Sequence, residues 1–192
     1  MEKLILDANV LYSNHLRGLF LWMSWRGLFQ IFWSQDIWDE VFRNYSSDAE
    51  KEEIFRQDVE RVIWGKFPES MREMSQEFPP AGLPDASDEH VLALARQEEI
   101  TNIVTFNLKD FPENILQEFG IASVHPDAFL SEFYEREKDE TKRAIREHIE
   151  VLRKTKPRKA AYIQRLQIVG AERFAAQLAA DDRAGILFDE VW

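Results

Sequence analysis

The chain has 192 residues, which suits one globular domain or one domain with an appendage. Because 45% of the residues are hydrophobic and 31% are charged, wholesale disorder is not expected. It contains no cysteine, which excludes disulfides and thiolate metal sites. It has no apolar run long enough for a membrane span, so we expect a cytoplasmic protein. The formal net charge of -11 argues against non-specific binding of nucleic acid over the whole surface.

Short apolar runs and turn signals predict alternating strands and helices from the N-terminus onward. The segment KLILD is a strand that ends at Asp7, a largely apolar helix follows it, and residues 29–33 form the second strand. Ser34 is a candidate N-cap for an amphipathic helix over residues 35–45. Residues 48–64 continue as a charged amphipathic helix.

The same alternation continues toward the middle of the chain. Residues 78–85 hold three prolines and a glycine, which predict a loop with room for a very short strand. A helix over residues 86–99, a strand over 102–106, a strand over 121–124 and a helix from about Pro126 follow. This order predicts an α/β fold with a mostly parallel central sheet.

No strand signal remains beyond about residue 132, where two further segments are helical in pattern and join near Pro157. We therefore predict a core domain over residues 1–131 and a C-terminal helical extension over 132–192. The extension contains a basic run without acids, which is either an anchor for phosphates or a solvated helix and linker. Its cations are Arg153, Lys154, Lys156, Arg158, Lys159 and Arg165.

Four separate segments deliver carboxylates or amides near strand ends and helix starts. These positions share one edge of a parallel sheet, so we expect the side chains to converge. Like charges packed together are costly without a neutralising cation, and oxygen ligands suit Mg²⁺ or Mn²⁺. The residues are Asp7, then Asp36, Asp39 and Glu40, then Asp85 and Asp88, then Asn107 and Asp110.

Each segment also has a purely structural interpretation. Asp85 and Asp88 are typical of a helix N-cap and first turn. The three acids of the 35–45 helix are typical of a solvated helix face. Helical periodicity does not choose among the three acids of that face. The pair after the 102–106 strand is typical of a turn. Asp7 is harder to explain structurally, because an acid seldom ends a buried strand without a partner.

The successive motifs resemble those of PIN-domain proteins, and more narrowly those of VapC-like ribonuclease toxins of type II toxin–antitoxin systems. The motifs are LILDANVL, WSQDIWDEVFR, PDASDEHVLALA and IVTFNLKDFP, and the resemblance extends from residue 1 to about residue 130. It implies a three-layer α/β/α fold and a Mg²⁺- or Mn²⁺-dependent endoribonuclease. It also implies an RNA substrate and a cognate antitoxin protein as partners.

Carried over by position, the resemblance implies four metal-holding, catalytic carboxylates, and it selects Glu40 over its two acidic neighbours. Asp85 is an outer metal candidate, and Asn9 orients the site. Asn107 stands where many family members have an aspartate, which removes one charge. Asn107, Lys109 and the basic run over residues 153–159 are expected to bind the substrate. The four carboxylates are Asp7, Glu40, Asp88 and Asp110.

Two alternatives share this fold. One is a PIN nuclease that processes RNA without an antitoxin, and the other is a degenerate PIN fold that only binds protein or RNA. The four carboxylates argue against the second alternative. His90 is assigned a capping or packing role. The aromatic run LFLWMSWRGLFQIFW is more typical of a core, but the six tryptophans leave room for a homodimer or partner surface.

Overall fold

The computed structural model of the chain describes residues 1–75, 78–152 and 159–183. No helix within these residues is both long and apolar enough to cross a membrane. The strands are β1 (Lys3–Leu6), β2 (Gln30–Ser34), β3 (Met71–Arg72), β4 (Asn102–Val104) and β5 (Ala122–Val124). The α-helices are α1 (Ala8–Tyr12), α2 (Asn14–Trp25), α3 (Gln35–Tyr45), α4 (Ala49–Asp58), α5 (Glu89–Gln97), α6 (Glu113–Leu116), α7 (Pro126–Arg136), α8 (Lys138–Val151), α9 (Lys159–Ile168) and α10 (Glu172–Arg183).

Contacts between residues divide the chain into two compact units. The first unit comprises Met1–Tyr12 and Phe29–Val124, and the second begins with Ser13–Leu28 and resumes at His125. The division at residue 131 into a nuclease domain and a helical extension stays a prediction.

The first unit is built on a parallel sheet with the strand order β3-β2-β1-β4-β5. In its central strand, Leu4 pairs with Ile31 of β2 on one side and with Asn102 of β4 on the other. Because β1 is covered on both faces, it has a continuous apolar sequence rather than a polar alternation. The predicted α/β/α architecture with a parallel sheet is confirmed.

Helix α3 is positioned by its N-cap and by an aromatic face. Ser34 caps it as predicted, because the Ser34 Oγ accepts a hydrogen bond from the Ile37 N–H at 3.4 Å. Trp38 and Phe42 on α3 are fully buried, and the Trp38 ring meets Trp33 edge-on at a centroid distance of 5.9 Å. This packing fixes the rotation of α3 and leaves Glu40 half-buried.

Two predicted segments of this unit differ in detail from the structure. The helix predicted over 48–64 is confirmed from Ala49 onward, but its second part, Val59–Trp64, is a wider π-helical turn in place of the α-helix. Side-chain spacing does not distinguish these two hydrogen-bonding patterns. Residues 78–85 form no strand, and the short edge strand is Met71–Arg72 instead. Two residues are too few to give a period-two signal.

The second unit has a buried polar cluster at the contact of α2, α8 and α9. His148 is 5% exposed, and its Nδ1 lies 2.9 Å from the Tyr162 hydroxyl. The His15 ring lies 4.6 Å from the Tyr162 ring between centroids. A Cβ at Gly18 would lie 3.0 Å from the His148 Nε2, so a larger residue there would force the His148 ring to shift. Burial lowers the pKa of both histidines to about 4.

These histidines should make the protein lose stability in mild acid. Below about pH 6.5 the unfolded histidines bind protons, whereas the folded ones do so only near pH 4, so acid favours unfolding in this window. We expect His148→Gln to remove a contribution on the order of 1–3 kcal/mol to the pH dependence of the unfolding free energy. Urea denaturation of both proteins between about pH 7 and about pH 4 measures it. Parallel pH profiles for the two proteins would contradict the prediction.

Candidate metal centre

The sheet topology brings the carboxyl ends of β1 and β4 together. The chain winds from β1 toward β2 and β3 on one side, and toward β4 and β5 on the other, so a topological switch point lies between β1 and β4. Such switch points leave a crevice at the strand ends where α/β proteins bind ligands. Asp7 follows β1, and its backbone N–H donates to the Val104 carbonyl at the end of β4 at 3.0 Å.

Asp7 is a buried carboxylate that accepts three hydrogen bonds, one at Oδ1 and two at Oδ2. It is 3% exposed, and its Oδ1 accepts a hydrogen bond from the Ala8 N–H at 2.7 Å. Its Oδ2 accepts from the Thr105 hydroxyl and from the Asn9 amide, both at 2.6 Å. Burial raises the pKa of the Asp7 carboxyl, and these hydrogen bonds only partly oppose the effect.

Thr105 is the residue that the sequence analysis missed. Besides donating to Asp7, its Oγ1 accepts from the Asn9 amide at 3.1 Å and from the Asn107 backbone N–H at 2.9 Å. Asn9 also accepts at its Oδ1 from the Phe106 N–H at 3.2 Å, and its orienting role at the site stays a prediction. In the sequence Thr105 is only a β-branched strand residue, and the signal that identifies it is its place directly before the polar loop.

The loop after β4 is the turn that the structural interpretation predicts, and the same turn positions Asp110. Leu108–Asp110 forms a 3-10 turn in which the Asp110 N–H donates to the Asn107 carbonyl at 3.1 Å. The Asn107 side-chain amide donates to the Asp110 carboxylate and holds it. Lys109 between them is exposed. The turn and the Asn107 amide together therefore fix the position of the Asp110 carboxylate.

A second loop is held in place by Glu89, at the first residue of α5. Its carboxylate accepts backbone hydrogen bonds from Ala81 at 2.8 Å, from Gly82 at 2.7 Å and from Leu83 at 2.7 Å. Gly82 has a φ of +86°, a conformation that favours glycine. These three hydrogen bonds fix the backbone of residues 81–83, just before the turn that carries Asp85 and Asp88.

Asp85 and Asp88 lie at the two ends of that turn. Asp85 is exposed and accepts from the Ser87 N–H at 2.8 Å and the Ser87 hydroxyl at 2.6 Å, which lowers its pKa. The N-cap interpretation is therefore correct for Asp85. Asp88 is half-buried and makes no capping hydrogen bond with its side chain.

Three carboxylates form a compact group at this edge of the sheet. One oxygen from each of Asp85, Asp88 and Asp110 lies within 4.8 Å of the other two. Burial above all, and then the negative charges around it, raise the pKa of Asp88 to about 7. Those charges belong to Asp7, Asp85, Glu40 and Asp110. All five predicted metal-binding acids are thus brought into electrostatic contact, although Asp7 and Glu40 lie outside the compact group.

The three acids of α3 have different environments. The pKa of Glu40 is raised by burial, then by the charges of Asp7 and Asp85. Asp39 instead pairs with Arg56 at 3.0 Å, and Asp36 is exposed. Among the three, Glu40 is the acid whose charge reaches the cluster.

His90 also approaches the cluster. Its Nδ1 lies 2.7 Å from the Ser87 carbonyl, which only accepts, so Nδ1 carries the proton and caps the turn. The Nε2 atom is buried and has no hydrogen-bond partner among the described residues. The ring acts electrostatically on Asp7 and Glu40 and opposes the rise in their pKa, so His90 belongs to the surroundings of the site as well as to the cap.

Most of the predicted basic run lies outside the described residues. This applies to Arg153, Lys154, Lys156 and Arg158, while Lys159 is the first residue of α9.

The comparisons with known proteins agree with this geometry. The PIN domain family matches residues 3–109, which is more than half of the chain and contains all the strands up to β4. The chain belongs to the PIN-domain family. It is also 43% identical over 58 residues to a Mycobacterium tuberculosis protein named "Putative ribonuclease VapC50". The aligned segment is 30% of this chain and 34% of that protein, so only about a third of the relative is covered. No solved structure matches significantly.

A hard divalent cation fits the residues of this PIN domain. The donors are carboxylate oxygens, which Mg²⁺ and Mn²⁺ prefer, and three of them already lie within 4.8 Å of one another. Burial, and then repulsion by the neighbouring acids, raises the pKa of Asp88 to about 7, so its ionised form is disfavoured without a counter-charge. A cation would remove this repulsion.

Metal binding should therefore stabilise the protein measurably. We expect millimolar Mn²⁺ or Mg²⁺ to raise the melting temperature by mass action on the folded state. Asp88→Asn should raise the melting temperature of the metal-free protein by a few degrees, because it removes a charge repelled by its neighbours. The same variant should blunt the metal-induced shift in a thermal melt.

Asp36→Asn is the matched control, since Asp36 is an exposed acid of the same unit and is not among the main charges that raise the pKa of Asp88. It should leave the metal-induced shift unchanged. An unchanged melting curve of the wild type in Mn²⁺ would contradict the metal site.

Proposed function

We propose that this protein is a divalent-metal-dependent endoribonuclease and the toxin of a type II toxin–antitoxin module. The observation that carries the proposal is the convergence of five acids at the switch point of a PIN domain, with the pKa of Asp88 raised to about 7. The partial similarity to a protein named as a putative ribonuclease supports the choice of RNA as the substrate.

The proposed metal ligands are Asp7, Glu40, Asp88 and Asp110, with Asp85 as an outer ligand. A bound Mg²⁺ or Mn²⁺ would neutralise charge on the phosphoryl oxygens and acidify an attacking water. The chain itself fixes the ligands before any ion arrives. Thr105 and Asn9 hold Asp7, and Asn107 holds Asp110, so these carboxylates need little reorganisation.

An acidic protein that cuts a polyanion needs local positive charge to hold it. Lys109 beside Asp110 is exposed and available for this role. We propose the basic run of residues 153–159 as the main RNA anchor, with Asn107 contacting the substrate at the site. The proposal for the basic run rests on the sequence, because residues 153–159 hold five cations and no acid.

Cleavage and RNA binding should respond to different substitutions. We expect Asp110→Asn to reduce cleavage of a labelled RNA roughly 100-fold or more, because charge stabilisation by the metal site is worth several kcal/mol. The variant should still bind the RNA, and Asp36→Asn should behave like the wild type. Gel analysis of the products and fluorescence anisotropy measure the two properties.

Joint neutralisation of Lys154, Lys156, Arg158 and Lys159 should weaken RNA binding and flatten its salt dependence. It should leave the metal-induced melting shift unchanged. An unaltered salt slope would show that RNA is held elsewhere, and full cleavage by Asp110→Asn would contradict the proposed nuclease site.

An antitoxin should exploit the same excess of negative charge. We expect the product of an adjacent gene to bind this protein and to place an Arg or Lys among the acids, where it replaces the charge of the metal ion. Binding should lower nuclease activity and should weaken in the Asp88→Asn variant. Co-purification of the two proteins and titration of cleavage activity measure it. Absence of such a partner would favour an RNA-processing nuclease instead.

A further inference from the structure

A pocket of about 220 Å³ opens next to the metal centre, between α1 and α3. Glu40 belongs both to the wall of this pocket and to the group of acids that act on Asp88. Whatever occupies the pocket therefore lies directly beside the candidate reaction centre. The lining residues are Ala8, Asn9, Tyr12, Glu40, Val41 and Asn44.

The lining has the chemistry of a site for an uncharged aromatic ring. Ala8 and Val41 are buried and give an apolar base, and Tyr12 is an aromatic residue with 48% of its surface exposed. Asn44 is exposed and is held by a hydrogen bond from its amide to the Glu40 carbonyl at 3.1 Å. The lining contains one acid and no cation, so the pocket suits an uncharged ring rather than a phosphate.

We infer that this pocket binds one nucleobase of the RNA, in the nucleotide next to the phosphate at the carboxylate cluster. The inference rests on the proposed nuclease function. The base stacks on Tyr12, as bases of single-stranded RNA do on exposed aromatic rings, and its polar edge faces Asn44. Asn9 contributes only to the frame, because its side chain is already bonded to Asp7, Thr105 and Phe106.

The size and position of the pocket favour RNA over a protein partner. Drug-sized ligands occupy sites of roughly 300–1,000 Å³, so a pocket of about 220 Å³ admits a single ring-sized group. A stable protein interface covers roughly 800 Å² on each partner, which is far more surface than a pocket of this size offers. A nuclease, by contrast, always has a base close to the phosphate that it cleaves.

The test measures whether the Tyr12 side chain and one base of the RNA contribute to the RNA affinity through the same contact. Binding of labelled single-stranded A, C, G and U homopolymers is measured by anisotropy in the Asp110→Asn background with Mn²⁺ present. We expect Tyr12→Leu to weaken the affinity roughly 5- to 150-fold, the range for base stacking on an aromatic ring. Tyr12→Phe keeps the ring and should stay within about twofold.

Trp25→Ala, which removes another exposed aromatic residue outside the pocket, is the matched control and should not change the affinity. Asn44→Ala is a second variant on the exposed face of α3 and should alter the preference among the four homopolymers. Thermal melts establish that each variant is folded.

The decisive step repeats the measurement with an abasic nucleotide placed at each position of the tightest homopolymer. At one position the abasic RNA should bind weakly, and Tyr12→Leu should cause no further loss there, because the two partners of one contact are coupled. If Tyr12→Leu has no effect, or has the same effect with every abasic RNA, the base pocket is wrong.

The remaining outcomes separate this inference from the proposed function. If the wild type cleaves RNA but shows no coupling, only the pocket assignment is overturned. If Tyr12→Leu and Asn44→Ala keep full RNA affinity but lose a protein partner, the occupant is a protein side chain and the inference is overturned. If the wild type neither binds nor cleaves RNA, the proposed function is wrong, and the pocket assignment falls with it.

Discussion

The site of this protein depends on one buried contact, the hydrogen bond from the Thr105 hydroxyl to the Asp7 carboxylate at 2.6 Å. It joins the carboxyl ends of β1 and β4 at the only place where the sheet topology leaves a crevice between described strands. Thr105 also accepts from Asn107, whose amide holds Asp110, so the same hydroxyl connects two acids of the site. Removal of this hydroxyl would leave the buried Asp7 carboxylate with one donor fewer in a poorly solvated place.

The acids are brought together against their mutual repulsion by contacts outside the cluster. The aromatic face of α3 fixes the rotation of that helix and with it Glu40, while Glu89 fixes the loop before Asp88 through three backbone hydrogen bonds. Packing and hydrogen bonding thus hold a charge arrangement that is unfavourable in itself. Burial and this repulsion together raise the pKa of Asp88, and a bound divalent cation would offset the repulsion.

Asp88 at the metal centre and His148 in the buried histidine cluster should respond to acid in opposite senses. A carboxyl whose pKa is raised to about 7 binds its proton more readily in the folded state, so Asp88 stabilises the metal-free protein as the pH falls below 7. His148 has its pKa lowered to about 4 by burial, so it destabilises the protein as the pH falls below 6.5. The pH of maximal stability therefore depends on whether the metal site is occupied, since a bound cation keeps Asp88 ionised.

The sequence by itself determined the alternation of strands and helices, the parallel sheet and the edge on which the acids lie. Those features follow from periodicity and from strand ends, which are local properties of the chain. Local pattern could not separate Glu40 from Asp39, identify Thr105 as a site residue, or find the two-residue strand Met71–Arg72. Only the tertiary structure decided these points, because each depends on a partner far away in the sequence. Asp39 pairs with Arg56, Thr105 bonds to Asp7 across 98 residues, and β3 exists only through its pairing with β2.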